Sequence, residues 1–283
     1  MQANQSKSWT VPELNGVRLL SATYRTQTFA RHTHDHFVIG VNESGTEGFL
    51  HKGSLRIAPS GTIVIINPGD VHTGYSAGAD AWVYRGMYPE PRLLQEATSQ
   101  IVGRAQPVPS FTHPVIRDRD LTRQLMRLHR TLEGPHGILE AHSLLLGFLA
   151  QLISRYGSVT VQPEPLRKET ERVRRIRDYI HSSHKESISL KDIAEVAGLS
   201  PYYTIRVFRK EVGLPPYEFL TQVRVERAKR LLQDGWPISS IASEVGFFDQ
   251  SHFTRHFNRF TGVTPKRYVQ GQDRTIHKSP RAI

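Results

Sequence analysis

The 283-residue sequence contains no cysteine. That absence excludes disulfides, thiolate nucleophiles and cysteine-ligated zinc or iron–sulfur centres together. No apolar run reaches the 18 residues a spanning helix needs. The opening stretch, MQANQSKSWTVPEL, lacks the apolar core of a signal peptide, so a cytoplasmic location is expected. Acidic residues are also comparatively scarce, 26 against 37 Lys and Arg. The imbalance is uneven along the chain. Residues 166–283 hold 22 basic and 13 acidic side chains, a balance of +9; residues 1–165 hold 15 and 13, a balance of +2. A basic C-terminal half suits a polyanionic partner.

That basic half says one thing twice. Ile193, Ala194, Gly198, Ser200, Arg206 and Phe208 are repeated as Ile241, Ala242, Gly246, Asp249, Arg255 and Phe257. The offset is 48 positions before the turn and 49 after it, so the second turn is one residue longer. Ser200 and Asp249 are good N-caps, because their side-chain oxygens accept amide hydrogens of the first turn. Pro201 suits the first helical position, and Gly198 and Gly246 permit a tight turn. Each copy is thus expected to be helix, turn, helix.

In helical projection Tyr202, Ile205, Arg206 and Arg209 share one face of the first copy's second helix. Ser251, Thr254, Arg255 and Asn258 share the matching face of the other copy. Thr204, Val207 and Phe208, then Phe253, His256 and Phe257, are expected to pack inward. Arginine, hydroxyl and amide groups on one face are what reading base edges in a major groove requires. A solvated face on an ordinary bundle is the plainer alternative, and repetition at near-constant register argues against it.

The runs IAEVAGLSPYYTIRVFRKEVGLPPYEFL and GFFDQSHFTRHFNRFTGVTPKRY resemble the tandem helix-turn-helix domain of AraC-family transcriptional regulators, over about residues 171–270. The resemblance implies sequence-specific binding to double-stranded promoter DNA. Expected contacts are Ser200, Tyr202, Tyr203, Arg206, Arg209, Gln250, Ser251, His252, Thr254 and Arg255. A helix over about Pro216–Gln233 should join the copies and set the reading helices about 34 Å apart, one turn of duplex.

From Val17 to Tyr88, short apolar runs alternate with turn signals, a pattern of many short strands. The runs include Phe37–Val41, Leu55–Ile57 and Thr62–Ile66. HTHDHFVIGVNESG, followed by INPGDVH, resembles the cupin-like effector domain that precedes the DNA-binding domain in many AraC-family members. Catalytic cupins hold a metal on two histidines one residue apart, a glutamate and a later histidine. His32, His34 and His72 stand at the histidine positions, but the glutamate position falls near Val38 or Ile39. No metal, cofactor or catalytic residue is therefore expected, and the resemblance implies a barrel kept for a small organic effector. Effector-binding candidates are Tyr24, Arg31, His32, His34, His72 and Tyr84, with His36 or Arg85 as further choices.

Helical stripes return at Asp118–Leu132 and Ile138–Tyr156 and would either brace the barrel or form a homodimer contact. The expected fold class is two-domain α+β. A cupin-like β-barrel with trailing helices (1–157) is followed by a linker (158–170), an all-α double helix-turn-helix domain (171–271) and a mobile tail (272–283). The function expected is a regulator, activator included, controlled by a small molecule, with RNA polymerase as a further partner and no membrane. The rival reading is a metal-dependent cupin enzyme carrying a DNA-binding domain. An architectural DNA-binding protein without a ligand is a third, which the polar reading faces argue against.

Overall fold

The computed structural model describes residues 4–159 and 166–276. They form two compact units, each taken here by itself. The first runs from the N-terminus to Glu133 and again from Leu144; the second comprises Gly134–Ser143 and the chain from Leu166 onward.

The first unit is built on strands β1 (Gln5–Val11), β2 (Val17–Tyr24), β3 (Thr28–His32), β4 (Val38–Ser44), β5 (Thr46–His51), β6 (Ser54–Pro59), β7 (Ile63–Ile66), β8 (His72–Ser76), β9 (Trp82–Tyr88) and β10 (Val115–Ile116). All pairings among them are antiparallel. They make a six-stranded sheet, β1-β2-β9-β4-β7-β10, and a four-stranded sheet, β3-β8-β5-β6. One apolar core joins the two sheets. Tyr24, Val38, Val64, Ile66, Trp82 and Tyr84 of the large sheet pack with Phe49 and Ala58 of the small one.

Burial follows position in the sheet. The β7 sequence IVII is buried at every residue, as an interior strand covered on both sides should be. Leu55 and Ile57 belong to one of the apolar runs read as strands. Both are exposed, because β6 is an edge strand of the smaller sheet. Gly40 of β4 and Gly86 of β9 are register partners, and a Cβ on either would lie 2.2 or 2.6 Å from the Tyr84 ring. Missing side chains at this pair make the room into which Tyr84 lies.

Helix α1 (Pro91–Val102), preceding β10, and α2 (Arg119–Glu133) complete this unit together with the later part of α3 (Ile138–Tyr156). Leu121, Leu125, Leu128 and Leu132 form the buried stripe of α2, at the periodicity read from the sequence. Buried His129 on the same helix has a determined tautomer. The Arg85 guanidinium donates to its Nδ1 at 3.2 Å, so Nε2 carries the hydrogen and donates to the Leu20 carbonyl at 3.1 Å.

In the second unit α4 (Thr170–Ser183), α5 (Leu190–Ala197), α6 (Pro201–Val212), α7 (Pro216–Gln233), α8 (Ile238–Glu244), α9 (Gln250–Thr261) and α10 (Pro265–Ile276) follow in order. Ser189 and Asp192 close a capping box on α5. The α7 core positions Val225, Ala228 and Leu232 pack with Ile241, Ala242, Val245, Phe247, Phe253 and Phe257 of the second copy. One expected boundary differs here. The tail was expected from residue 272, but α10 continues to Ile276; residues 277–283 lie outside the described residues. Residues 160–165 of the expected linker also lie outside them.

Candidate functional sites: two matched helix faces and a histidine-lined pocket

The doubled motif folds as two matched helix pairs. Ser200 Oγ accepts the Tyr203 amide hydrogen and Asp249 accepts that of His252, so both caps are formed. Gly198 has φ +63° and Gly246 +88°. At Gly246 a second constraint applies, since a Cβ there would sit 2.6 Å from the His184 carbonyl oxygen.

Faces divide largely as the projection implies. Thr204, Val207, Phe208, Phe253, His256 and Phe257 are buried. Arg209, Gln250, Ser251, Arg255 and Asn258 are exposed, while Ser200, Tyr202, Ile205, Arg206 and Thr254 are half-buried. The Arg206 guanidinium lies over the Tyr202 ring, 5.5 Å from its centroid.

Two expected DNA contacts are on the wrong side. Tyr203 is only 5% exposed, and its hydroxyl accepts the Arg167 amide hydrogen at 3.0 Å. His252 is 4% exposed and packs edge-on against Phe247, its ring 5.4 Å away. Each lies one residue past a polar position, a 100° step around the helix that carries it from the surface to the core.

The segment Gly134–Ser143, which folds with this unit, meets α9. Arg255 donates to the Pro135 carbonyl oxygen at 2.8 Å. Buried Glu140 places Oε2 3.7 Å from His252 Nε2 and 3.6 Å from His256 Nε2. Burial would raise the Glu140 carboxyl, but the two imidazoles win and hold it well below the usual carboxylate range. The Phe248 amide donates to His252 Nδ1 at 3.4 Å, which makes Nε2 the protonated nitrogen facing Glu140. This is an acid–base pairing in which His252 has no free lone pair to give.

The other site lies within the β unit. A pocket of about 310 Å³ is lined by aromatic residues (Tyr24, Phe29, Trp82, Tyr84, Tyr88) and by His32, His34, His36, His72, Arg18 and Glu47, among others. Of the expected effector-binding residues, Tyr24, His32, His34, His72 and Tyr84 line this pocket. Arg31 does not: it is exposed and outside the lining. Arg85 is also outside, committed to Glu43 at 2.7 Å and Glu133 at 2.6 Å. The pocket's arginine is Arg18, stacked on Tyr88 at 4.6 Å.

Sequence reasoning missed Arg18, Trp82, Tyr88 and Glu47. Burial pushes the Glu47 carboxyl up to about 8, and its Oε2 has no hydrogen-bond partner. Glu47 follows a turn, so it reads as a solvated loop acid. Its position on β5, one residue before Gly48, was the available signal. Burial likewise pushes Tyr88 up to about 12 and His72 down to about 4, the latter helped by His32 and His34 nearby.

His32 and His34 come from different kinds of backbone. His32 ends β3, whereas His34 lies in the loop beyond it. The rings of His32, His34 and His72 lie 4.3 to 6.0 Å apart, and one nitrogen of each lies within 4.8 Å of the other two.

A two-sheet barrel with a lined pocket and a doubled helix-turn-helix with matched polar faces define an effector-and-DNA class of regulator. The comparisons agree in both halves. An AraC-like ligand binding domain matches residues 14–149 and a helix-turn-helix domain matches residues 193–271. The uncharacterized HTH-type transcriptional regulator YbfI of Bacillus subtilis is 30% identical over 80% of this chain and 82% of its own length. The HTH-type transcriptional activator RhaS of Enterobacter sp. is 24% identical over 88% and 90%. The arabinose operon regulatory protein of Salmonella typhimurium is 24% identical over 83% and 84%. The chain belongs to the AraC family of transcriptional regulators, with an N-terminal effector-binding domain and a C-terminal DNA-binding domain. Among the described residues no helix is long and apolar enough to cross a membrane.

Proposed function

We propose that this regulator reads promoter DNA with Arg206 and Arg255, one from each reading helix, and answers to a small molecule held among Tyr24, His34, His72 and Tyr84. The supporting observation is the shared register of α6 and α9. At equivalent places each puts an arginine on the polar face, Arg255 exposed and Arg206 half-buried, and two or more aromatic or aliphatic residues inside. A guanidinium can donate two hydrogen bonds to guanine, which fixes both base and orientation. Ser200, Tyr202, Arg209, Gln250, Ser251 and Thr254 add base or phosphate contacts; Tyr203 and His252 are removed from the set by their burial.

The effector alters transcription by binding one conformational state better than another. In this reading the protein is a cytoplasmic homodimer, an activator that works with RNA polymerase, and catalyses nothing. The test is selection of preferred operators by the purified protein, followed by binding measurements with single-base variants. Equal affinity for all sequences would overturn the reading. For the pocket, a thermal-shift screen of metabolites should find a ligand whose stabilisation is lost in Tyr84→Ala.

A further inference from the structure

Three imidazoles in the barrel have been sorted into one tautomer. His32 Nδ1 lies 2.8 Å from the Ala30 carbonyl oxygen, His34 Nδ1 2.7 Å from that of His36, and His72 Nδ1 3.0 Å from that of Asp70. A carbonyl oxygen only accepts, so Nδ1 is the protonated nitrogen in all three rings. In each neutral ring the lone pair is then on Nε2. One ring nitrogen of each histidine lies within 4.8 Å of the other two, and Nε2 is the nitrogen each ring has free to offer. His34 Nε2 is buried and has no hydrogen-bond partner at all.

Three neutral imidazoles crowded together, with no donor supplied to the buried His34 Nε2, is an unfavourable arrangement for a protein to keep. A shared cation removes the cost. An imidazole ligand commonly donates its other ring N–H to a carbonyl or carboxylate, which fixes tautomer and ring orientation. All three rings here already have that second bond. Tetrahedral zinc–nitrogen bonds of about 2.0–2.1 Å place ligand nitrogens about 3.4 Å from each other. From separations of up to 4.8 Å the rings need to close by at most about 1.4 Å, a side-chain adjustment.

We propose that His32, His34 and His72 bind a divalent transition-metal ion of the zinc, cobalt or nickel class through Nε2. Imidazole suits these borderline ions, whereas magnesium and calcium prefer oxygen donors. The lack of a carboxylate at Val38 or Ile39 does not empty the site. Three neutral ligands leave the ion its full charge and at least one coordination position, toward the pocket that these residues also line. The inference deepens the effector reading: the pocket's first occupant is a metal, and the organic effector can then bind to it. The Glu140, His252 and His256 cluster differs, since His252 there is already turned as a donor.

The test is titration of chelator-treated full-length protein with cobalt(II), followed by visible absorption and melting temperature. About one equivalent should bind, with d–d bands and a raised melting temperature, and zinc should displace it. His34→Gln and His72→Gln should each weaken binding more than tenfold, while His113→Gln, an exposed surface change, should not. If either ring variant fails to fold, the wild-type titration decides alone. Absence of d–d bands and of any melting shift with cobalt, zinc or nickel overturns the proposal, as does undiminished binding in folded His34→Gln and His72→Gln. Operator binding of the same sample reads the DNA-binding proposal separately, so one can fail without the other.

Discussion

His32 and His72 are register partners across β3 and β8, and their rings lie 4.3 Å apart. Forty residues of chain separate them, yet the antiparallel pairing makes them neighbours. On its other side His72 is the register partner of His51 in β5. His51 turns instead to Asp70, its Nε2 3.0 Å from Oδ2. That carboxylate's own backbone carbonyl orients His72. Pairing of strands, rather than any local motif, therefore assembles the pocket wall.

Arg206→Ala and Arg255→Ala should each cost about 1–3 kcal/mol in operator binding and relax preference at one position. Competition binding with single-base operator variants checks this. Unchanged discrimination would remove the base-reading role.

Tyr203→Phe should leave operator discrimination intact. The lost hydroxyl is the acceptor for the Arg167 amide, so stability should fall by roughly 0.5–1.5 kcal/mol. Urea unfolding and operator competition on the same variant separate the two effects. A changed base preference with unchanged stability would return Tyr203 to the reading face.

Glu47 sets one pH dependence. Its carboxyl is pushed up to about 8 in the folded chain, above the ordinary value of 4.5. Between those values folding takes up a proton, so the contribution of Glu47 to stability falls as pH rises. Glu47→Gln should raise the melting temperature near pH 8 and change it little near pH 4. An equal gain at both ends would show that the carboxyl is not held protonated.

His129 sets a slope of opposite sign. Burial, with Arg85 beside it, lowers its folded value from 6.5 to about 4. Across that window the unfolded chain holds the extra proton, so stability rises with pH and is lost on acidification. His129→Gln should flatten the curve between those limits by up to about 1.4 kcal/mol per pH unit, the linkage slope of one proton. Chemical denaturation at a series of pH values measures it.

Gly40→Ala should destabilise the barrel, since a Cβ there meets the Tyr84 ring at 2.2 Å. Overpacking of this kind costs typically 1–3 kcal/mol. Displacement of Tyr84 should also weaken any pocket ligand. Thermal melting with and without the ligand found by screening reads both.

Much of the C-terminal half was legible because helices write their own pattern locally. Ser200, Asp249, Gly198 and Gly246 act within a few residues of their own positions, and Arg206 and Arg255 repeat at a period the eye can find. The misses, Tyr203 and His252, come from polar side chains that can face either way until packing is known. Phe247 and the Arg167 amide made that choice for them.

What the chain determined by itself is the doubled module, its caps, its basic charge and the helices α2, α3 and α7, all products of short-range periodicity. Tertiary structure decided the pocket: which arginine enters it, that Glu47 is buried there, and that three histidines from a strand end, a loop and a distant strand turn one nitrogen each toward a common point. The physical reason is that antiparallel pairing joins residues at arbitrary sequence separation, and the tautomer of an imidazole depends on which carbonyl lies beside it.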